Sequence, residues 1–289
     1  MKKNLTVYKG NQIIEAGYKL SLNEQRVILS CIAQIRSQES LCVNDDFELS
    51  ATDFALLFSV SKDRAYHSLI EVSDSLFNRY IIIDNPYPHK PKIKSLKTRW
   101  ISSIKSLPDE GKLVLNFSKD ILPFLCELKG RFTKYELKNV GNMTSIYGIR
   151  LYELIMQWQN VGTRTVELTW LKKQFQIENS YSDITDFKKR VLKPAIDDIN
   201  KHSNFNIQWT QIKNGRTISH LVFSFKEKQQ STDLSVKIRN RDTSKNNKEH
   251  STVDNVEYFA SMRQKFGDLL PIDAVPPEMI EKLKADGRW

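Results

Sequence analysis

Glycine is scarce, with ten in 289 residues, and no GxGxxG turn occurs. The nearest approach to a phosphate-binding loop is Gly111-Lys112, which lacks both the upstream glycine and the following serine or threonine. A loop that cradles a nucleotide is therefore not expected. Histidine is thin and scattered (His67, His89, His202, His220, His250), with no HExxH and no His-x-His pair. That removes a local metal cluster of the kind zinc hydrolases or strand-nicking initiators use, although a set drawn from distant residues stays open. No G-x-S-x-G elbow is present either. The reading is a protein that is not an enzyme, with no catalytic residues, no metal and no cofactor. Three cysteines, Cys31, Cys42 and Cys126, stand too far apart for a zinc ribbon or a disulfide framework. No apolar run approaches the roughly 20 residues needed to cross a bilayer. The opening MKKNLTVYKGNQIIEAGYKL is broken by polar residues and makes a poor signal peptide. A cytoplasmic protein without a membrane partner is expected.

What is present is charge and core. Lysine and arginine number 44 against 34 acidic residues, a net charge of +10. Such a surplus suits a polyanion such as nucleic acid or an anionic membrane surface, and it equally suits a lysine-rich solvated surface. Hydrophobic residues at 40% and aromatics at 10% suffice for folded cores, and the length suits about two domains.

The pattern along the chain supports two. Ser21 and Glu24 form a capping box ahead of a helix with Ile28, Cys31, Ile32 and Ile35 at helical spacing. FELS (47–50) reads as a strand, Thr52 to Phe58 as a short helix, and Ser61 caps a longer helix to about Asn78. Strand-like runs come next at 80–84, 93–106 and 112–117, the last two joined by a Pro-Asp-Glu-Gly turn. In the 93–106 run Leu96, Trp100 and Ile104 share one face, with Lys97 and Arg99 on the other. Helices followed by an antiparallel hairpin is the order of a winged-helix domain. The order then repeats: a helix from Met143 to Trp158, a strand at 165–168, a Thr169-capped helix, a long helical segment at 184–201, and a hairpin turning at Lys213-Asn214-Gly215-Arg216. Asn-Gly between alternating runs is a strong hairpin signal, because both residues tolerate positive φ. Aligning Leu69 with Leu192 also aligns Leu76 with Ile199. The fold class is therefore α+β, two tandem winged-helix domains, each a helical cluster with an antiparallel β-hairpin wing. The joint falls within Leu137 to Asn142, giving domains 1–138 and 139–226. Residues 227–289 read as a polar linker and a short helical tail, with Val256, Phe259, Met262 and Phe266 at helical spacing.

The 184–201 segment carries the sharpest signal. Phe187, Val191, Leu192, Ala195, Ile196 and Ile199 make an apolar face, with Arg190 and Lys193 nearly opposite and Lys189 beside them. Lys188 falls toward the apolar side, so it suits a phosphate better than a base. The cations precede Asp197 and Asp198, an order that opposes the helix macrodipole at about 0.3–1 kcal/mol per misplaced charge. A helix shaped only for stability would carry the reverse order, whereas a helix whose N-terminal half enters a major groove wants this one. An ordinary solvated face is the alternative. Lys213, Asn214 and Arg216 would let the turn grip DNA backbone or minor groove. Pro194, inside the segment, predicts a kink. In the first long helix, Arg64, His67 and Ser68 point away from the Ala65, Leu69, Val72 and Leu76 stripe, and suit DNA contact or a dimer contact.

Several blocks together strongly resemble the iteron-binding plasmid replication initiators: LSLNEQRVIL (20–29), RFTKYELKNV with SIYGIRLYELI (131–140 and 145–155), and DFKKRVLKPAIDDIN with GRTISHLVFSF (186–200 and 215–225). The similarity spans about residues 5 to 226. It implies that the second domain's long helix reads directly repeated double-stranded sites, or iterons, at a plasmid origin. It also implies that the first domain makes auxiliary DNA contacts in the monomer and the interface in the dimer. Monomers would open an AT-rich origin and recruit host helicase and initiator proteins, while dimers would repress their own gene at an inverted-repeat operator. Lys188, Lys189, Arg190 and Lys193 match the family's reading helix and Lys213 and Arg216 its basic wing; Pro194 departs from the pattern. The rival readings are a winged-helix transcriptional repressor without a replication role, and a nicking initiator enzyme.

Overall fold

The structure, a computed structural model, describes residues 5–35, 45–87, 89–126, 128, 132–228, 260, 263–264 and 277–288. Its contacts gather into two compact units, Met1–Gln157 with Thr169–Asn204, and Trp158–Leu168 with Phe205–Trp289.

The first unit begins with β1 (Thr6–Gly10), α1 (Asn11–Ile14) and β2 (Gly17–Tyr18), which lead into α2 (Leu22–Ile32). Both halves of the expected capping box form. The Glu24 backbone N–H donates to Ser21 Oγ at 3.2 Å, and the Ser21 N–H donates to Glu24 Oε2 at 2.7 Å. Ile28, Cys31, Ile32 and Ile35 are all buried, as their spacing predicts. Glu24 is buried too, because Arg79 Nε and Ser75 Oγ reach its carboxylate at 2.8 and 2.6 Å. Then come β3 (Phe47–Ser50), α3 (Ala51–Phe58) and α4 (Lys62–Ser75), the last capped by Ser61. The strands β4 (Tyr80–Asp84), β5 (Ser95–Arg99), β6 (Ile101–Leu107) and β7 (Lys112–Phe117) come after it, with β8 at Phe132–Glu136. Three antiparallel sheets result, ordered β1-β8, β2-β4-β5 and β3-β7-β6.

The expected hairpin forms between β6 and β7, with Gly111 in the left-handed region closing its turn. The long 93–106 run, however, is two strands serving two sheets. Trp100 and Ile101 are both fully buried, which breaks the alternation of a single strand and sends β5 to β4 and β6 to β7. Ser68 is a second correction. It is buried on α4 and accepts a hydrogen bond from Asn23 Nδ2 at 3.1 Å, rather than pointing outward with Arg64 and His67.

The unit continues through α5 (Lys138–Gly141), α6 (Ile146–Met156), α7 (Leu168–Gln174), α8 (Ile184–Phe187) and α9 (Lys193–His202). A cluster of buried ions ties its start to α6. Lys9 Nζ donates to Glu153 Oε1 at 2.7 Å, and the Tyr135 hydroxyl donates to the same oxygen at 2.6 Å. Burial and the Glu153 charge hold the Tyr135 phenol well above its ordinary pKa, so it remains a donor. Arg150 stacks on the Tyr18 ring at 3.5 Å and donates to the Ala16 carbonyl at 2.7 Å.

In the second unit β9 (Thr163–Glu167), β10 (Phe205–Asn214) and β11 (Thr217–Glu227) form an antiparallel sheet ordered β10-β11-β9. Leu221, Val222, Phe223 and Phe225 of β11 are buried, as is Ile207 of β10. A helix at Pro277–Ala285 lies in the expected tail. The 229–259 linker, and with it Val256 and Phe259, lies outside the described residues, as do Met262 and Phe266. Among the described residues no helix is long and apolar enough to cross a membrane.

Candidate nucleic-acid interface

The helical segment from 184 to 202 is held from behind. Phe187, Val191, Leu192, Ala195, Ile196 and Ile199 are at most 6% exposed. Each of these buried side chains except Ala195 contributes about 1.5–3 kcal/mol relative to exposure, so the opposite face stays outward. Asp183 caps the segment, accepting from the Thr185 N–H at 2.7 Å, and that bond holds its carboxyl below the usual range.

Pro194 shapes the middle of the segment. A proline in an α-helix removes one N–H and crowds the carbonyl four residues back. Here the Lys193 N–H instead bonds the Lys188 carbonyl, five residues back, and Lys188–Leu192 forms a π-helical turn. Where the sequence predicts a kink the segment forms this turn, and single π-turns of this kind are frequent at functional sites. Lys189, Arg190 and Lys193 are exposed around the turn, Lys188 is half-buried, and Val191 and Leu192 fill the core side.

The acidic residues differ from the sequence expectation. Asp198 is not a misplaced surface charge. It is buried and accepts the backbone N–H groups of Thr144 and Ser145 at 2.7 and 2.5 Å, anchoring the start of α6. Gly148 on α6 makes this close seat possible, because a Cβ there would meet the Ala195 carbonyl and Asp198 Cβ at 3.4 Å. Asp183 and Asp186 also place negative charge at the positive end of the segment, so its charge order opposes the dipole less than expected. The outward aspartates pair with the cations: Arg190 Nε lies 3.5 Å from Asp186 Oδ1, and Lys193 Nζ lies 2.6 Å from Asp197 Oδ2. Asp186 does not stand out in the sequence, although its spacing four residues before Arg190 is the signal for such a pair.

In the second unit Lys213, Asn214 and Arg216 are exposed at the β10–β11 tip. The register shifts between Ile212 and Lys213, and Asn214 pairs with Thr217. Of the expected Asn-Gly pair only Gly215 takes a positive φ, 61°, so the turn centres on Gly215-Arg216, while Thr217 Oγ1 donates to the Asn214 carbonyl at 3.0 Å. On α4, Arg64 and His67 are exposed, and the His67 ring meets Tyr66 edge-on at 5.9 Å. Beyond the expected residues, Lys97 lies over the Tyr80 ring at 4.2 Å and Arg99 over Phe77 at 4.8 Å. Among the described residues no group of histidine, cysteine and carboxylate side chains could hold a metal ion.

Two runs of helices, each leading in chain order to an antiparallel hairpin, define a tandem winged-helix protein. The family description "Initiator Replication protein, WH1" matches residues 6–156, and "Initiator Rep protein, WH2" matches residues 167–225. The chain belongs to this family of replication initiators. A replication initiation protein of Escherichia coli is 28% identical over 276 residues, covering 92% of this chain and 84% of that protein. The PI protein of Escherichia coli is 28% identical over 255 residues, covering 78% of this chain and 84% of that one. A crystal structure of Pi initiator protein in complex with iteron DNA superposes with a TM-score of 0.67 at 25% identity, covering 80% of this chain and all of that one.

Proposed function

We propose that this chain initiates plasmid replication by binding directly repeated double-stranded sites at its origin, without catalysing a reaction itself. The observation that carries the reading is the outward cationic face of Lys189, Arg190 and Lys193, held from behind by a buried apolar face, on a member of the initiator family. In this reading Arg190 and Lys193 meet base edges and Lys188 and Lys189 meet phosphates. Lys213, Asn214 and Arg216 grip the backbone or minor groove. Domain 139–226 reads the repeats. Domain 1–138 adds contacts through Arg64 and His67 in the monomer and forms the interface in the dimer, which represses the protein's own gene at an inverted repeat. Residues 227–289 form a linker and tail. Opening the origin then admits host helicase and initiator proteins, in the cytoplasm.

Footprinting on the plasmid's own origin over a range of protein concentrations tests this. Regularly spaced protections in one orientation are expected. A single protected palindrome, with no support for origin-dependent plasmid maintenance, would move the protein to the repressor class. Cleavage of supercoiled origin DNA in Mg²⁺ would make it a nicking enzyme.

A further inference from the structure

The outward aspartates of the reading segment are unusual residues to meet on a surface meant for a polyanion. Asp186 and Asp197 are 54% and 60% exposed, and each faces its cation one helical turn away. Exposed pairs of this kind add little to stability, and the place of Asp186 near the positive end of the segment adds only a modest dipole contribution, so fold maintenance does not account for the pairing. Nor do they serve as caps: Asp183 already caps the segment, and Asp198 already anchors α6.

We infer that Asp186 and Asp197 are specificity-determining residues, which restrain Arg190 and Lys193 and penalise binding to duplex DNA of arbitrary sequence. The inference rests on the proposed reading of this helix. On random DNA the protein gains affinity from phosphates alone, and each carboxylate both occupies a cation and repels the backbone. On the repeats the same carboxylate has a second effect of opposite sign. Arg190 and Lys193 are long side chains that lose rotamer freedom when they engage a base edge. A carboxylate one turn away keeps each on the outer face and remains as a partner behind the base contact. Removing it relieves repulsion on both kinds of DNA but loses positioning only on the repeats. Specificity is a difference of affinities, and a penalty on the wrong partner raises it as surely as a contact to the right one.

The test measures binding of Asp186→Asn and Asp197→Asn to a duplex carrying the origin repeats and to a scrambled duplex of equal length and composition, across salt concentrations. For each variant, affinity for the scrambled duplex should rise by roughly five- to tenfold near 0.1 M salt, with a slope steeper by about one unit, because each newly neutralised phosphate adds about 0.9. Affinity for the repeats should rise by less, so the ratio between the two falls. Asp186→Glu and Asp197→Glu keep the charge and the spacing and should keep the ratio. A ratio unchanged in both asparagine variants overturns the inference, whether the two affinities climb together or neither moves. A loss confined to the repeats also overturns it, since the aspartate would then be a base acceptor itself. Failure of the unaltered protein to prefer the repeats over the scrambled duplex would instead sink the proposed reading.

Discussion

Lys9–Glu153 and Lys193–Asp197 are ion pairs of nearly equal length, 2.7 and 2.6 Å, placed in opposite settings. The first is sealed, with side chains 2% and 1% exposed, and joins residues 144 positions apart. The second stands 71% and 60% exposed and joins neighbours on one helix. Burial makes each ion of the first pair depend on the other, because either one left alone would face a desolvation cost that hydrogen bonds such as that from Tyr135 offset only in part. Solvent makes the second nearly neutral to stability and leaves its cation available to a stronger anion. Geometry alone does not tell a pair the fold depends on from one it does not. Its surroundings do.

The largest effect that would break this contrast lies at the buried pair. Lys9→Met should destabilise the protein by about 3–5 kcal/mol, read from the urea midpoint, because Glu153 stays buried without its ion. The double variant Lys9→Met/Glu153→Leu should recover much of the loss. Should Lys9→Met leave the midpoint unmoved, the pair would be no more than a passenger. Next in size is Asp198→Ala, which strips two N–H groups of their charged acceptor and should cost about 1.5–3 kcal/mol of stability. Equal stability there would return Asp198 to the surface role that its sequence position suggests.

At the exposed pairs the readout changes from folding to DNA. Arg190→Ala or Lys193→Ala should leave the urea midpoint nearly unchanged yet weaken binding to the repeats by about 1–3 kcal/mol, with less effect on random DNA. Equal losses on both DNAs would make these residues phosphate contacts. The smallest expected change is Lys188→Ala, which should lower the salt slope by roughly one unit without altering sequence preference. An unaltered slope removes Lys188 from the interface.

The local grammar of the chain was readable in advance. The Ser21–Glu24 box, the strands at 47–50, 80–84 and 112–117, and the apolar face from Phe187 to Ile199 all come from side-chain spacing and short-range hydrogen bonds. Much less of the polar interior was. β1, β2 and β8 are short, and nothing within a few positions of Lys9 in β1 signals the Glu153 that meets it from α6. Ser68 and Asp198 look solvated for the same reason, since their partners lie 45 and more than 50 positions away. Pro194 signals an irregularity, read as a kink, without saying that a π-turn would form there with Lys189, Arg190 and Lys193 outward.

Periodicity, caps and turn residues were enough to set the helices, most strands and the cationic segment, because those depend on neighbours within a few positions. Which charges are buried, which strand joins which sheet, and which aspartate holds a helix rather than a cation were decided only by the folded chain. Each of those outcomes depends on the local dielectric and on partners supplied by distant residues, and neither exists until the parts have come together.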